Sequence, residues 1–285
     1  MTGKAILPRE LIVGGVIVLA FVVVAIAAPL LAPPRGVRPY LMPSDGFSMT
    51  PLPPNPKHPL GTLPGQYDVF YGLVWGTRVA FRLGFYITLG RTLIGVLLGL
   101  ISGFYGRLLD SLLMRITDAF LSFPIMAAVL VMVATLGGTN EMIILALILF
   151  GWMPYARLMR GNVLAERAKE YVQAAISVGA PAQRLIFRHI LPNATQGLFV
   201  LIASDIGAMV ALSAVFKFLG FYGNVPLADW GQMLNFSRNW VVGTPGDAFA
   251  YWYTYLPPSL AIVLFTVGWN LIGDGLRDLL DPRLR

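Results

Sequence analysis

Charged residues are scarce in this chain of 285 residues: they make up 12% of it, which is about half the share typical of a soluble domain. Cysteine is absent, and this excludes disulfide bridges and thiolate metal sites. The two histidines, His58 and His189, lie far apart with no ligand spacing around them, so no histidine-based metal or catalytic centre is predicted. Apolar residues make up 56% of the chain, with a mean hydropathy of +0.71, which predicts an integral membrane protein.

Sequence motifs for nucleotide chemistry and hydrolysis are also missing. The chain has no G-x-x-x-x-G-K-[ST] phosphate-binding loop, no H-E-x-x-H zinc motif and no G-x-S-x-G nucleophile elbow. We therefore predict a protein that is not an enzyme and that binds no metal or cofactor itself.

Apolar runs close to the roughly 20 residues that a spanning helix needs occur six times. They lie at about 11–32, 84–105, 112–136, 141–158, 196–217 and 256–274. The first run contains an A-x-A pattern typical of a signal peptide, but it is longer than a signal-peptide core, which favours an uncleaved anchor. The pattern predicts an all-α protein with six transmembrane helices, the third of them bent at Pro124.

The region between the first two spans differs in composition from the rest. Residues 33–61 are rich in proline and have no helical or strand period, which predicts an irregular extramembrane loop. Residues 68–85 have helical spacing with Arg78 and Arg82, which predicts an interfacial helix. We therefore predict an N-terminal part at 1–83 and a core transmembrane domain at 84–285, the latter carrying a polar loop at 160–193.

The positive charges indicate the orientation of the chain. With the N-terminus inside, thirteen of the 21 Lys and Arg residues fall on the cytoplasmic side, seven fall outside, and Arg91 lies within a span. This distribution predicts a multi-pass protein of the cell membrane with both termini in the cytoplasm. It also accounts for the net charge of +7 without a nucleic-acid partner.

The segment EYVQAAISVGAPAQRLIFRHILPN at 170–193 interrupts the apolar runs on the cytoplasmic side. Its first half has an apolar helical face, and Gly179 suits the left-handed position just after a helix end. Pro181 suits the first turn of a second helix, which runs to Ile190 and is stopped by Pro192. We predict two short helices joined by a fixed bend, with Arg184 and Arg188 on one face.

Two alternatives fit this bent pair. It is either an interfacial helix that rests on lipid or a helix that docks into a groove on a soluble partner. Periodicity alone does not separate them.

Several motifs along the chain resemble one protein family. Q-A-A at 173–175, followed by Gly179 and by Leu191-Pro192, is similar to the EAA loop of ABC importer permeases, and RHILPN at 188–193 resembles the peptide, opine and nickel branch. The other similar segments are HPLGT at 58–62, GFYGRLLDSLLMRITDAFLSFP at 103–124, FLGFYGNVPLADWGQML at 218–234 and NLIGDGLRDLLDPRLR at 270–285.

The resemblance implies a type I ABC importer permease fold and a C-type subunit that forms half of a translocation pathway for di- or oligopeptides. Its implied partners are a B-type permease subunit, two nucleotide-binding ATPase subunits that use ATP and Mg²⁺, an extracytoplasmic substrate-binding protein and membrane lipid. The alternatives are oligosaccharides, nickel or opines as substrates, and a passive channel as a different class. The residues implied in ATPase coupling are Gln173, Ala174, Ala175, Gly179, Arg184, Arg188, Leu191 and Pro192.

This chain departs from the family pattern at Gln173, Ser213 and Lys217, and in the LPGQYD run that follows HPLGT, where an Asp and a G-R-D run are usual. Gln173 stands where the family usually has Glu, so a charge-assisted contact to the ATPase is not available there. Ser213 occupies an acidic position and Lys217 replaces a Ser before FLG, which predicts a specialised outer region.

Ionisable residues within spans are costly, so they mark candidate sites. We single out Arg91, Asp118 and Asp205. Asp118 lies in the 103–124 motif, which favours a structural role near the cytoplasmic mouth. For Asp205 the alternatives are a buried interhelical pair with Arg91 or a backbone group, and a place lining the pathway.

Aromatic residues collect at 218–255, on the predicted outer side. The cluster at 251–255 is typical of an interfacial aromatic belt. For Phe221, Trp230 and Trp240, the resemblance implies contact with the extracytoplasmic binding protein.

Overall fold

The computed structural model describes residues 7–35, 38–195, 197–223 and 225–280, and helices dominate these ranges. Lys4, Arg283 and Arg285 of the charge count, and the last five residues of the C-terminal motif, lie outside them. The helices are α1 Arg9–Leu31, α2 Val69–Tyr105, α3 Arg107–Ser122, α4 Ile125–Leu136, α5 Asn140–Leu149, α6 Met153–Arg167, α7 Glu170–Ser177, α8 Ala182–Arg184, a π-helix Leu185–Ile190, α9 Leu198–Phe218, α10 Trp230–Ser237 and α11 Trp252–Leu280.

Five segments of the described chain are long and apolar enough to cross a membrane. They are α1, α2, Asn140–Arg167 (which contains α5 and α6), α9 and α11. A sixth span exists if α3 and α4 count as one, with a bend of 80° between them. Pro124 lies at that break as predicted, because it has no N–H to donate and holds the preceding Phe123 in an extended conformation.

The predicted interfacial helix at 68–85 is wrong as a separate element, since α2 runs unbroken through it. The side chain of Arg78, which was predicted to face the interface, instead contacts α1. Its Nε donates to the carbonyl of Ala25 at 2.5 Å, and its guanidinium lies 5.0 Å from the centre of the Trp75 ring. Pro29 of α1 lacks the N–H that an α-helix uses to satisfy the carbonyl four residues earlier, so Arg78 provides the missing donor to Ala25.

Helix α2 is the central element, packed against α6 on one side and α9 on another. Gly95, Gly99 and Gly103 recur every four residues and allow α6 to approach closely. A Cβ at Gly99 would lie only 2.4 Å from the carbonyl oxygen of Ala156. Helix α11 packs against α1 and α9 in the same manner, with Gly268 facing Ile17 of α1.

The proline-rich loop is ordered against the end of this bundle at which α2 begins. It ends in two short antiparallel strands, β1 Thr62–Leu63 and β2 Tyr67–Asp68, in which Thr62 pairs with Asp68. The buried His58 ring contacts Asp68 through Nδ1 at 2.8 Å, and Asp68 caps the N-terminus of α2 by accepting from the Tyr71 N–H. The loop therefore fixes the start of the central helix.

Candidate functional site

The bent pair predicted at 170–193 begins with α7 and a fixed turn. Gly179 has a φ of +77°, its N–H donates to Ile176 at 2.9 Å, and the Ala180 N–H donates to Ala175 at 3.1 Å. These two bonds form a Schellman motif, which ends the helix and sets the direction of the following chain.

The second half of the pair differs from the prediction of a simple α-helix. Only Ala182–Arg184 is α-helical, and Leu185–Ile190 is a π-helix, with the Leu191 N–H donating to Ile186 at 2.8 Å. Leu185 and Ile190 are both buried although they are five residues apart. A five-residue separation brings side chains to one side in a π-turn but not in an α-turn, so this burial favours the wider helix.

One face of the bent pair is held by the bundle. Val172, Leu185 and Ile190 are buried in a cluster with Leu100 and Phe104 of α2 and with Met159 and Val163 of α6. The pair therefore lies on the ends of two long helices, and its inner side is not available to lipid or to a partner protein.

The opposite face is exposed and both apolar and basic. Val178 is 84% exposed and Phe187 is 62% exposed, and Arg184 and Arg188 are exposed near them in sequence. The sequence analysis did not single out Val178 and Phe187. The signal that could have identified them is the presence of large apolar residues in an otherwise polar stretch. Of the remaining predicted coupling residues, Gln173, Ala174, Gly179 and Pro192 are exposed, and Ala175 and Leu191 are half-buried.

Polar contacts bind the bent pair to the end of α6. The Tyr171 hydroxyl donates to the carboxylate of the buried Glu166, and Lys169 contacts the same carboxylate at 2.7 Å. The Asn193 amide donates to the Tyr171 oxygen at 3.2 Å and to the His189 carbonyl at 2.7 Å. Burial and the bond to Glu166 raise the pKa of Tyr171 to about 12, so its hydroxyl remains a donor at neutral pH.

Arg91 and Asp205 form the interhelical ion pair that was one of the two alternatives for Asp205. Arg91 Nη1 lies 2.6 Å from Asp205 Oδ1, and both side chains are less than a tenth exposed. Arg91 Nε also donates to the carbonyl of Gly151 at 2.6 Å, and the Tyr155 hydroxyl donates to Asp205 Oδ2 at 3.0 Å. The ion pair thus joins α2 to α9, and the bond from Arg91 to Gly151 joins α2 to the connection between α5 and α6.

Asp118 lies elsewhere, at the surface. Its carboxylate accepts from Arg157 of α6 at 2.5 Å, and both side chains are more than half exposed. Because an exposed pair contributes little to stability, this contact orients α3 relative to α6 rather than holding the two helices together.

The aromatic residues predicted to dock a binding protein divide into two groups. Trp230 is a correction, because it is 3% exposed, packs against Phe21 and Phe265, and donates its indole N–H to the Leu73 carbonyl. Phe221 and Trp240 are half-buried.

Lys217 is fully buried at the end of α9, with its Nζ 5.5 Å from the centre of the Tyr222 ring. Its Nζ lies 2.5 Å from Asp229 Oδ2, so the lysine that departs from the family pattern is compensated within the chain.

No group of three or more His, Cys, Asp or Glu side chains that could hold a metal ion occurs in the part of the chain that the structure describes. The described residues combine a helical bundle, buried charges that are paired within the chain, and a bent pair that exposes apolar and basic side chains. The exposed side chains of the bent pair can bind another molecule, and the packing of its inner side on α2 and α6 can pass a movement to those helices.

Comparison with known proteins agrees with this geometry. Residues 95–285 match the family described as binding-protein-dependent transport system inner membrane component. The chain is 35% identical over 274 residues to the dipeptide transport system permease protein DppC of Alkalihalophilus pseudofirmus, a match that covers 96% of this chain and 86% of the relative.

Two further relatives carry other names. The glutathione transport system permease protein GsiD of Pectobacterium atrosepticum is 35% identical over 251 residues, 86% of this chain and 81% of the relative. The oligopeptide transport system permease protein OppC of Bacillus subtilis is 33% identical over 274 residues, 96% and 85% of the two chains. The chain therefore belongs to the family of inner membrane components of binding-protein-dependent transport systems, and it is a multi-pass membrane permease subunit and not an enzyme.

Proposed function

We propose that this chain is the C-type permease subunit of an ATP-driven importer and forms half of a pathway for di- or oligopeptides. It pairs with a B-type permease subunit, receives solute from an extracytoplasmic binding protein and docks on one of two ATPase subunits. The observation that carries this proposal is the bent pair at 170–193. It exposes apolar and basic side chains, namely Val178, Phe187, Arg184 and Arg188, while its inner side is packed on two long helices.

The mechanism that follows is mechanical. The ATPase subunits bind ATP and Mg²⁺ and close, and the groove that holds the bent pair moves with them. A ligand shifts an equilibrium only by its differential affinity for the two states, so ATP must favour one arrangement of the spans. The bent pair passes that preference on, because its inner face is packed on the ends of α2 and α6.

The peptide substrate rests on the names of the relatives. Those relatives are named for dipeptide, oligopeptide and glutathione transport, and all three substrate classes contain peptide-type bonds. Oligosaccharides, nickel and opines are the alternatives for the same type of importer. The ligand that co-purifies with the partner binding protein distinguishes them.

The proposed topology places both termini and the bent pair in the cytoplasm. The loops at 33–61 and 218–251 then face outward, where the half-buried Phe221 and Trp240 are within reach of a binding protein. We assign the core permease domain to 84–285, close to the matched range of 95–285, and the N-terminal part to 1–83.

A bulky residue at the bend tests the proposal. Gly179→Trp forces a left-handed backbone position on a side chain that rarely adopts it and places an indole on the docking face. We expect the ATPase subunits to be lost on purification and ATP-driven uptake to disappear in proteoliposomes. The matched control is Gly246→Trp, at another glycine with positive φ and open surroundings but in an outer loop, and it should retain the ATPase subunits.

Two outcomes contradict the proposal. If Gly179→Trp retains both ATPase association and uptake, the bent pair is not the coupling element. If the wild-type protein passes solute down a gradient without ATP, it is a passive channel.

A further inference from the structure

The side chain of Gln173 turns back toward α6 instead of pointing away from the chain. Its Nε2 donates to the carbonyl oxygen of Arg167 at 2.8 Å. Arg167 is the last residue of α6, and the final four carbonyls of a helix have no partner within it. The Gln173 amide therefore acts as a cap that joins the second turn of α7 to the end of α6.

Arg167 continues this connection to α2. Its Nη1 donates to the carbonyl of Phe104 at 2.6 Å, and its guanidinium lies 5.6 Å from the centre of the Phe104 ring. Phe104 is one residue from the end of α2, so this carbonyl is also one that the helix leaves unpaired. The ends of α7, α6 and α2 are thus joined in series through two side chains.

A second connection runs parallel to the first. Tyr171 joins the buried Glu166 of α6 to the end of the π-helix, through Asn193 and the His189 carbonyl. Between α6 and α7 only Ala168 and Lys169 are non-helical, and these side-chain contacts restrain that short junction in addition to the apolar packing of the bent pair on α2 and α6.

We infer that Gln173, together with Tyr171, is a positioning residue that clamps the bent pair to the ends of α6 and α2. This inference rests on the proposed function, in which an ATPase moves the bent pair. With the clamp in place, that movement is transmitted to α2 and α6 and is not absorbed by rotation at Ala168 and Lys169. An ionised glutamate at position 173 has only acceptor oxygens and cannot donate to the Arg167 carbonyl.

Gln173→Glu distinguishes this role from a contact with the ATPase. In the assembled importer in proteoliposomes, the clamp predicts that uptake per ATP hydrolysed falls about three- to tenfold, because a bond of ordinary strength is replaced by two facing acceptors. ATPase co-purification should be unchanged. If Gln173 instead contacts the ATPase directly, the uptake per ATP hydrolysed should not fall in Gln173→Glu, and the new charge could raise it.

Two further variants complete the test. Gln173→Met removes the donor without adding charge and should lower uptake per ATP in the same direction. Gln183→Glu makes the same chemical change at an exposed glutamine of the bent pair that does not bond to the Arg167 carbonyl, so it measures the effect of added charge alone, and Gln173→Glu should lower uptake per ATP at least about threefold further. An equal fall in Gln183→Glu means that added charge on the docking face is the cause, and this overturns the inference.

A distance measurement keeps this test separate from that of the proposed function. Because the chain contains no cysteine, a nitroxide pair can be attached through Ser177→Cys on α7 and Leu108→Cys on α3 without other changes. In the assembled complex, Gln173→Glu should broaden the distance distribution and Gln183→Glu should not. An unchanged distribution in Gln173→Glu overturns the clamp. Absence of ATP-driven uptake in the wild type overturns the proposed function alone.

Discussion

The buried ion pair between Lys217 and Asp229 tests how the interior of this bundle tolerates charge. The two side chains are 0% and 7% exposed, and their Nζ and Oδ2 atoms are 2.5 Å apart. Asp229 also caps α10, since its Oδ1 accepts from the Gln232 N–H at 3.1 Å. The pair thereby joins the end of α9 to the start of α10.

Removal of one partner leaves the other charge buried without compensation. We expect Lys217→Met to cost about 3–5 kcal/mol of the free energy of unfolding. Asp229→Asn should cost a similar amount of unfolding free energy. Because Asn caps a helix as well as Asp does, this loss of stability comes from the missing charge and not from a missing cap. The double variant removes both charges, and we expect it to lie within about 1 kcal/mol of wild type.

Thermal unfolding of the purified protein in detergent measures these differences. At roughly 2–4 °C per kcal/mol in domains of this size, each single variant should lower the Tm by about 6–20 °C, and the double variant should recover most of that loss. The control is Lys57→Met, which breaks an exposed pair with Asp45 and should cost less than about 1 kcal/mol. If the two single effects add in the double variant, or if Lys217→Met behaves like Lys57→Met, the reasoning is refuted.

Three further predictions follow from other contacts. Gly99→Ala should prevent close packing of α2 on α6 and lower the yield of folded protein, whereas Gly161→Ala, with nothing within 4 Å, should be neutral or raise the Tm. Burial raises the pKa of the Asp45 carboxyl, but the bond and charge of Lys57, with Arg35 and His58, outweigh it and hold the pKa below its usual value. This carboxyl therefore stabilises the fold above about pH 4 and ceases to do so as the pH falls through its lowered pKa, so Asp45→Asn should reduce the difference in Tm between about pH 6 and pH 3. Asp205→Asn weakens a buried pair, so we expect a lower Tm and yield, while a normal Tm with reduced uptake in proteoliposomes would favour the pathway alternative.

Features set by local chemistry could be predicted from the sequence. Gly179 ends α7 because a positive φ is inexpensive only for glycine, and Pro124 breaks the third span because proline cannot donate a helical hydrogen bond. Both effects depend on a few neighbouring residues, so the sequence pattern contains the whole cause. The positions of the spans are predictable for the same reason, since each depends on one continuous apolar run.

Features set by distant partners could not be predicted. Arg78 looked like a surface residue on an amphipathic helix, and its actual acceptor is a carbonyl 53 positions earlier that Pro29 leaves free. Trp230 looked like a docking residue, and it fills the space beside Gly76 on α2, where a Cβ would lie 2.5 Å from the indole nitrogen. In both cases the deciding atom belongs to another helix, and periodicity within one helix has no information about it.

The buried charges also bear on where solute selectivity arises. Arg91 is compensated by Asp205, and Lys217 by Asp229, within this single chain. A charged group that is already paired and buried must lose that partner before it can bind a solute, and breaking such a pair costs about 3–5 kcal/mol. In the proposed importer, a pathway formed between two permease subunits therefore gains no ready ionic site from these four residues. In that proposal, recognition of the charged ends of a peptide falls to the exposed surfaces of the pathway or to the delivering protein, and the buried pairs hold α2 to α9 and α9 to α10.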